Sequence, residues 1–227
     1  MDRLSHVRFR LLLAALLLLL ISYPYPESVV ESRMMLIVVS AVFVTGVISV
    51  ASTRLHLLVA AALGLGTVVF NWWDVSGGWS GESELLFVEL GLASEIAFFF
   101  YVLSLVGKTV FRSPSVTADT IAGSICVYLL LGLSFCSAYV LMERVVPGSF
   151  HIPNPTSHPF SDLLFFSFTA LTTVGYGDIT PATAQARSIA SLETTTGVLY
   201  TTILVARLVS LYQTTVASEP AAPADPS

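Results

Sequence analysis

Long apolar runs broken by short polar connections constrain this chain more than any other feature. A helix needs about 20 apolar residues to cross a hydrocarbon core of roughly 30 Å. Five runs reach that scale: Met34–Ala51, Leu55–Trp73, Leu85–Val106, Ile121–Met142 and Ala186–Tyr212. A shorter one, Leu11–Ile21, extends at most over Arg8–Tyr23 before Pro24 and Pro26 stop it. Trp72 and Trp73 close one of the runs, where indole rings settle at a membrane interface. Charged residues make up 11 % of the chain and hydrophobic ones 55 %, whereas a soluble domain carries about 25 % charged residues. Such a chain cannot cover a globular surface with charge. Its net charge of −5 also argues against a nucleic-acid partner. The expected fold class is an all-α membrane protein of six transmembrane helices, with the lipid bilayer as its surroundings.

The first run has an alternative reading as a secretory signal peptide, because Arg3, Arg8 and Arg10 give it a basic start. No small-x-small cleavage site follows near Ser22–Glu31, so a retained helix is the expectation. Cys126 and Cys136 share one apolar run, which makes neither a disulfide framework nor a zinc site. They read as small packing groups.

Basic residues in short loops set orientation. An inside N-terminus puts Arg3, Arg8, Arg10, Arg54, Lys108, Arg112 and Arg207 at the inner side, leaving Arg33, Arg144 and Arg187 near the outer side. Both termini are then cytoplasmic at the cell membrane, and Asp74–Glu84 and Glu143–Pro159 face outward. The chain divides into a four-helix domain over 1–112, a second membrane domain over 113–213 and a disordered cytoplasmic tail over 214–227, where Ser218–Ser227 is rich in Pro and Ala.

Between the last two runs, Phe160–Thr173 is apolar but too short to span. Ser161 can cap a helix there, with Asp162 near the positive end of its dipole. After about twelve residues the alternating glycines Gly175 and Gly177 break any helix. The pattern predicts a half-helix entering from outside and an irregular strand returning outward. Irregular backbone at membrane depth is tolerated only inside protein or along a water-filled path. Alternating left- and right-handed residues over Thr173-Val174-Gly175-Tyr176-Gly177 turn successive carbonyls toward one axis. Four copies around that axis stack rings of oxygens that replace the water of a dehydrated cation. The Thr173 hydroxyl adds a ring at the inner end, while Val174 and Tyr176 pack behind the strand. The half-helix aims its negative C-terminal end at the cavity, favouring a cation there. One chain carries one such strand, so a symmetric pore requires a ring, read here as a homotetramer.

Thr172–Asp178, TTVGYGD, resembles the selectivity-filter signature of the potassium channel superfamily. Its position between two spans matches the two-helix pore domain of that superfamily, and the likeness covers about Ile121–Tyr212. The resemblance implies that the carbonyls of Thr173, Val174, Gly175, Tyr176 and Gly177 bind K+. It implies that Asp178 sits just outside the filter, either hydrogen-bonding behind the strand or solvated at the mouth. Thr172, Asp178, Phe165, Phe166 and Thr169 then support the filter. Many members carry Trp-Trp where this chain has Phe165-Phe166, and some carry Glu where it has Thr169. An indole–tyrosine hydrogen bond to Tyr176 and a Glu–Asp pair with Asp178 are therefore absent, which alters filter rigidity but leaves selectivity. No cofactor is expected, since K+ is the permeant ion.

In the last run, Gly197 stands twenty residues after Gly177, a spacing at which inner helices of the superfamily often carry a hinge glycine. Close packing against a neighbouring helix is the other reading. Glu193, one turn earlier, is a gating candidate because a carboxylate within a span is costly. It can hydrogen-bond threonines behind the filter, raise cation occupancy in the cavity or satisfy a packing contact. Thr194, Thr195, Thr196, Thr201 and Thr202 suit a water-lined or helix-packed face. Arg207 reads as a side chain snorkelling to lipid phosphate at the inner surface.

Four spans before a pore domain match voltage-gated potassium channels in helix number only. The fourth span has no Arg or Lys, and its charges are Glu89 and Glu95. Each elementary charge crossing 100 mV contributes about 2.3 kcal/mol, so little intrinsic voltage dependence is expected. Glu95, near mid-membrane, is a buried structural carboxylate or a proton sensor. His56 and Asn71 lie near span ends, and His151 and His158 lie in the outer loop. About fifteen residues follow the last span, too few for a ligand-binding cytoplasmic domain. The alternatives are a weakly selective cation channel and a potassium transporter subunit. Transporters of that kind resemble four fused pore units, and this chain has one filter and no internal repeat. No GxSxG or HExxH constellation suggests an enzyme.

Overall fold

The computed structural model describes residues 8–22, 29–50, 53–75, 83–113, 116–153, 155 and 159–217. Its helices in chain order are α1 (Arg8–Ser22), α2 (Val29–Val50), α3 (Arg54–Val75), α4 (Ser83–Arg112), α5 (Ala118–Val145), α6 (Pro159–Leu171) and α7 (Ala184–Ala217). Each predicted run became one helix, with ends displaced by a few residues. The helical stretches Glu89–Arg112, Ala118–Val145 and Ala184–Ser210 are long and apolar enough to cross a membrane, while Leu36–Val50, Arg54–Phe70 and Pro159–Leu171 are shorter apolar stretches.

Three expectations are corrected. Ser161 is not the cap of the short helix, because α6 already begins at Pro159. Proline suits a first helical position, where the missing N–H would have no partner. Residues 214–217, assigned to the tail, continue α7; the rest of that tail, 218–227, lies outside the described residues, as does His158. The fold is also not wholly helical. β1 (Phe150–His151) and β2 (Thr180–Pro181) pair antiparallel, Phe150 opposite Pro181 and His151 opposite Thr180. Two-residue strands leave no alternation to read.

The front helices pack in sequence, α1 on α2, α2 on α3, α3 on α4 and α4 on α5, and α1 closes back onto α5. Phe98, wholly buried, centres this bundle. Cβ atoms on Gly46 of α2 and Gly64 of α3 would meet its ring at 2.9 and 3.2 Å. Both glycines therefore let a phenyl ring enter where lipid-embedded helices rely on close packing. Phe43 joins it, ring centroids 4.6 Å apart. The buried residues Phe9, Leu12, Ala15, Leu16 and Leu19 put one face of α1 into the bundle.

α5 is the common wall between the front bundle and the rest. Its buried side chains run from Ala122 to Val140. Thr117 caps it, accepting from the Thr120 N–H at 3.1 Å. α6 lies between α5 and α7. β1 and β2 lie at the end of α5 away from the α4–α5 junction, and Glu143 fastens that end by accepting from the N–H groups of Gly148 and Phe150 at 2.7 and 3.0 Å.

Candidate functional site

The segment after α6 leaves helical geometry at once. The Thr172 and Thr173 N–H groups still donate to Phe168 and Ala170 carbonyls, at 3.1 and 3.0 Å. Then φ is positive at every second residue: 62° at Thr173, 53° at Gly175 and 84° at Gly177. Glycine adopts such angles readily. Thr173, β-branched, does so against its steric preference, and strain of this kind gathers at functional sites. Only the glycines were expected there from sequence.

This strand is tied to α6 behind it. The Gly175 N–H donates to the Thr169 carbonyl at 3.1 Å. The Thr169 hydroxyl donates to Phe166 O at 2.8 Å, and Thr172 Oγ1 to Phe168 O at 2.6 Å. Tyr176 stacks on Phe165, with centroids 5.8 Å apart. The Asp178 carboxylate accepts from the next N–H, Ile179, at 2.9 Å. Thr172 to Asp178 are all exposed in the single chain.

Phe166 points the other way. It is buried and meets Tyr139 of α5 and Phe150 of β1 edge-on, each at 5.2 Å. Phe165 and Phe166 thus divide the work of holding α6 between the strand and the outer wall.

Glu193 is fully buried and faces α5 and α6. Its carboxylate accepts from Tyr139 of α5 at 2.5 Å and from Ser167 of α6 at 2.5 Å. Ser167 also reaches Gly132 O at 2.8 Å. One side chain therefore joins three helices. Among the described residues its partners are these two hydroxyls, not the threonines considered from sequence. Thr194, Thr195 and Thr196 spend their hydroxyls on their own helix, donating to Ala190, Ser191 and Leu192 carbonyls at 2.9, 2.8 and 2.7 Å.

Gly197 sits against the end of α6, where a Cβ would collide with the Leu171 carbonyl oxygen. Tyr128 donates to that same oxygen at 3.3 Å. Arg207 does not reach simply into solvent. Its Nη2 donates to Ser113 O at 2.7 Å, and its guanidinium lies over Phe111 at 5.5 Å. Glu95 is buried and accepts from Ser137 of α5 at 2.8 Å. His56 pairs with Tyr101 at 2.8 Å. Ser137, Tyr139, Ser167 and Phe111 carried no signal in the sequence beyond being hydroxyls or rings on apolar helices.

A family model for ion channels matches residues 127–214, the stretch from α5 through α7. Over 83 residues the chain is 36 % identical to two pore potassium channel c of Oryza sativa subsp. japonica, a match covering 37 % of this chain and 17 % of the relative. Over α5 to α7 the chain is therefore similar to ion channels and to a potassium channel. The matched stretch holds α5, α6 and α7, the helices that the sequence reading takes as outer helix, pore helix and inner helix. The chain thus spans under a fifth of the curated relative's length, 17 %. No solved structure matches it.

Proposed function

We propose that four copies of this chain form a potassium-selective channel of the cell membrane, in which the backbone of Thr173–Gly177 replaces the hydration shell of K+. The observation that carries this reading is the strand itself. Its positive φ values fall at Thr173, Gly175 and Gly177, directly behind a pore helix whose carbonyl end it leaves. Alternating handedness is the backbone geometry that brings successive carbonyls to one side, and peptide oxygens are suitable ligands for a dehydrated monovalent cation. The Thr173 hydroxyl extends the oxygen set inward.

Fourfold assembly is supported by what the single chain leaves uncovered. The filter residues are exposed, and along the inner helix Leu192, Leu199, Ile203 and Val205 are each more than half exposed. The outer helix is buried over most of its length. A ring of copies covers the inner helices and brings the strands to a common axis. A six-span layout with both termini cytoplasmic is supported by the excess of basic residues at the end opposite the filter. Basic residues occur in α4 only at Lys108 and beyond, so no charge series crosses the field, and conduction varies little with voltage.

The test is flux from liposomes holding the purified full chain. K+ passes far faster than Na+, Ba2+ blocks, and the current–voltage relation shows no steep activation. Equal K+ and Na+ flux would assign the strand to a weakly selective cation pore instead.

A further inference from the structure

At the end of the bundle opposite the filter, α2, α3 and α4 enclose a cavity of about 540 Å³. Its charged lining is basic: Lys108 and Arg112 project from consecutive turns of the last part of α4, and His56 stands across from them on α3. Ser49, Thr109 and Ser113 add hydroxyl groups. No Asp or Glu lines this cavity among the described residues. Asp119 lines an adjoining smaller cavity of about 240 Å³, which shares Thr109 and Ser113 with the first.

Among the described residues, neither Lys108 nor Arg112 is in a hydrogen bond or ion pair, and both are exposed. His56 commits Nδ1 to Tyr101 at 2.8 Å, which fixes its ring and leaves Nε2 available. Two positive charges four residues apart on one helix repel each other. A bound anion turns that repulsion into attraction, and phosphate oxygens match both an ammonium and a guanidinium. The apolar part of the lining is Val50 and Leu105, and outside the cavity, on the same end of α3, Leu55 and Leu58 are 68 and 67 % exposed. A group with phosphate at one end and hydrocarbon at the other satisfies both surfaces, and basic hollows between membrane helices suit such headgroups.

We propose that this cavity is a binding site for the phosphate headgroup of an anionic membrane lipid, held by Lys108 and Arg112 with the acyl chains against α3 and α4. The site lies in the front helices, and its occupancy does not depend on the pore reading.

The test uses the full chain in zwitterionic detergent micelles with fluorescent phosphatidic acid as the probe. The pair Lys108→Gln with Arg112→Gln binds at least tenfold more weakly than the wild type. The pair Lys108→Arg with Arg112→Lys keeps most of the affinity, as does Arg144→Gln at the other end of the fold. All these positions are exposed, so the variants fold, and circular dichroism checks that they do. Inorganic phosphate at the probe's concentration leaves binding unchanged. Equal affinity of the wild type and the double glutamine variant overturns the proposal. Displacement of the probe by equimolar inorganic phosphate also overturns it and assigns the cavity to a soluble anion.

Discussion

The ring of Phe165 lies parallel to that of Tyr176, 5° apart in plane and 5.8 Å between centroids. The stack holds Tyr176 against α6 without a side-chain hydrogen bond between the two rings. An aromatic pair contributes about 0.5–1.5 kcal/mol beyond the area it buries. Phe165→Ala is therefore expected to loosen the strand and lower the K+ to Na+ flux ratio a few-fold. Phe165→Trp keeps the contact and the ratio. A ratio untouched by Phe165→Ala would mean that the stack does not support the filter.

Gly175 makes a cleaner test of the strand. Its φ of 53° suits glycine, and a Cβ there would meet nothing within 4 Å in the single chain. Alanine is disfavoured by the backbone alone, by roughly 1–2 kcal/mol. Gly175→Ala should still assemble, measured by crosslinking in the membrane, and should lose selective K+ flux. Unaltered current contradicts the filter assignment.

Glu193 separates shape from chemistry. In Glu193→Leu the Tyr139 hydroxyl loses its acceptor, while Ser167 keeps Gly132 O. An orphaned buried polar group costs about 1–3 kcal/mol, so the melting temperature of the solubilised protein falls by several degrees. Glu193→Gln restores both contacts, its oxygen accepting from Tyr139 and its NH2 donating to Ser167 Oγ. It should melt close to the wild type. Tyr139→Phe in the Glu193→Leu background should recover part of the loss.

Gly197 and Gly107 form a matched pair. Alanine is worth about 1 kcal/mol over glycine inside a helix. Gly107→Ala meets nothing within 4 Å and should be neutral or stabilising. Gly197→Ala drives a methyl into the Leu171 carbonyl, which is backbone and cannot swing aside. Overpacking of this kind costs roughly 1–3 kcal/mol. Reduced thermal stability of Gly197→Ala alone is the expected result.

How far these contacts could be foreseen depends on their range. Helix positions follow from local hydropathy, and α6 is legible because a short, mostly apolar stretch ends just before two alternating glycines. The strand is legible because its glycines alternate in sequence, Gly175 and Gly177 on either side of Tyr176. The partners of Glu193 are not, since Tyr139 lies 54 residues away and Ser167 lies 26 away. No periodicity ties a hydroxyl on one apolar helix to a carboxylate on another. Thr173 shows a different failure. Its positive φ opposes its own propensity and is imposed by neighbours, so local reading favours the wrong conformer. Arg207 looked like a lipid-facing charge because the α4–α5 corner it binds is contributed by residue 113, 94 positions earlier.

That last contact makes the inner helix a beam with two anchorages. One is the carboxylate of Glu193, set into the wall formed by α5 and α6; the other is the guanidinium of Arg207, fastened to Ser113. Fourteen residues of helix separate them, roughly 21 Å at 1.5 Å per residue. A beam held at both ends cannot swing until one end lets go. The Glu193 end is fully buried and the Arg207 end half-buried, so in the proposed channel a swing of this helix would first part Arg207 from Ser113.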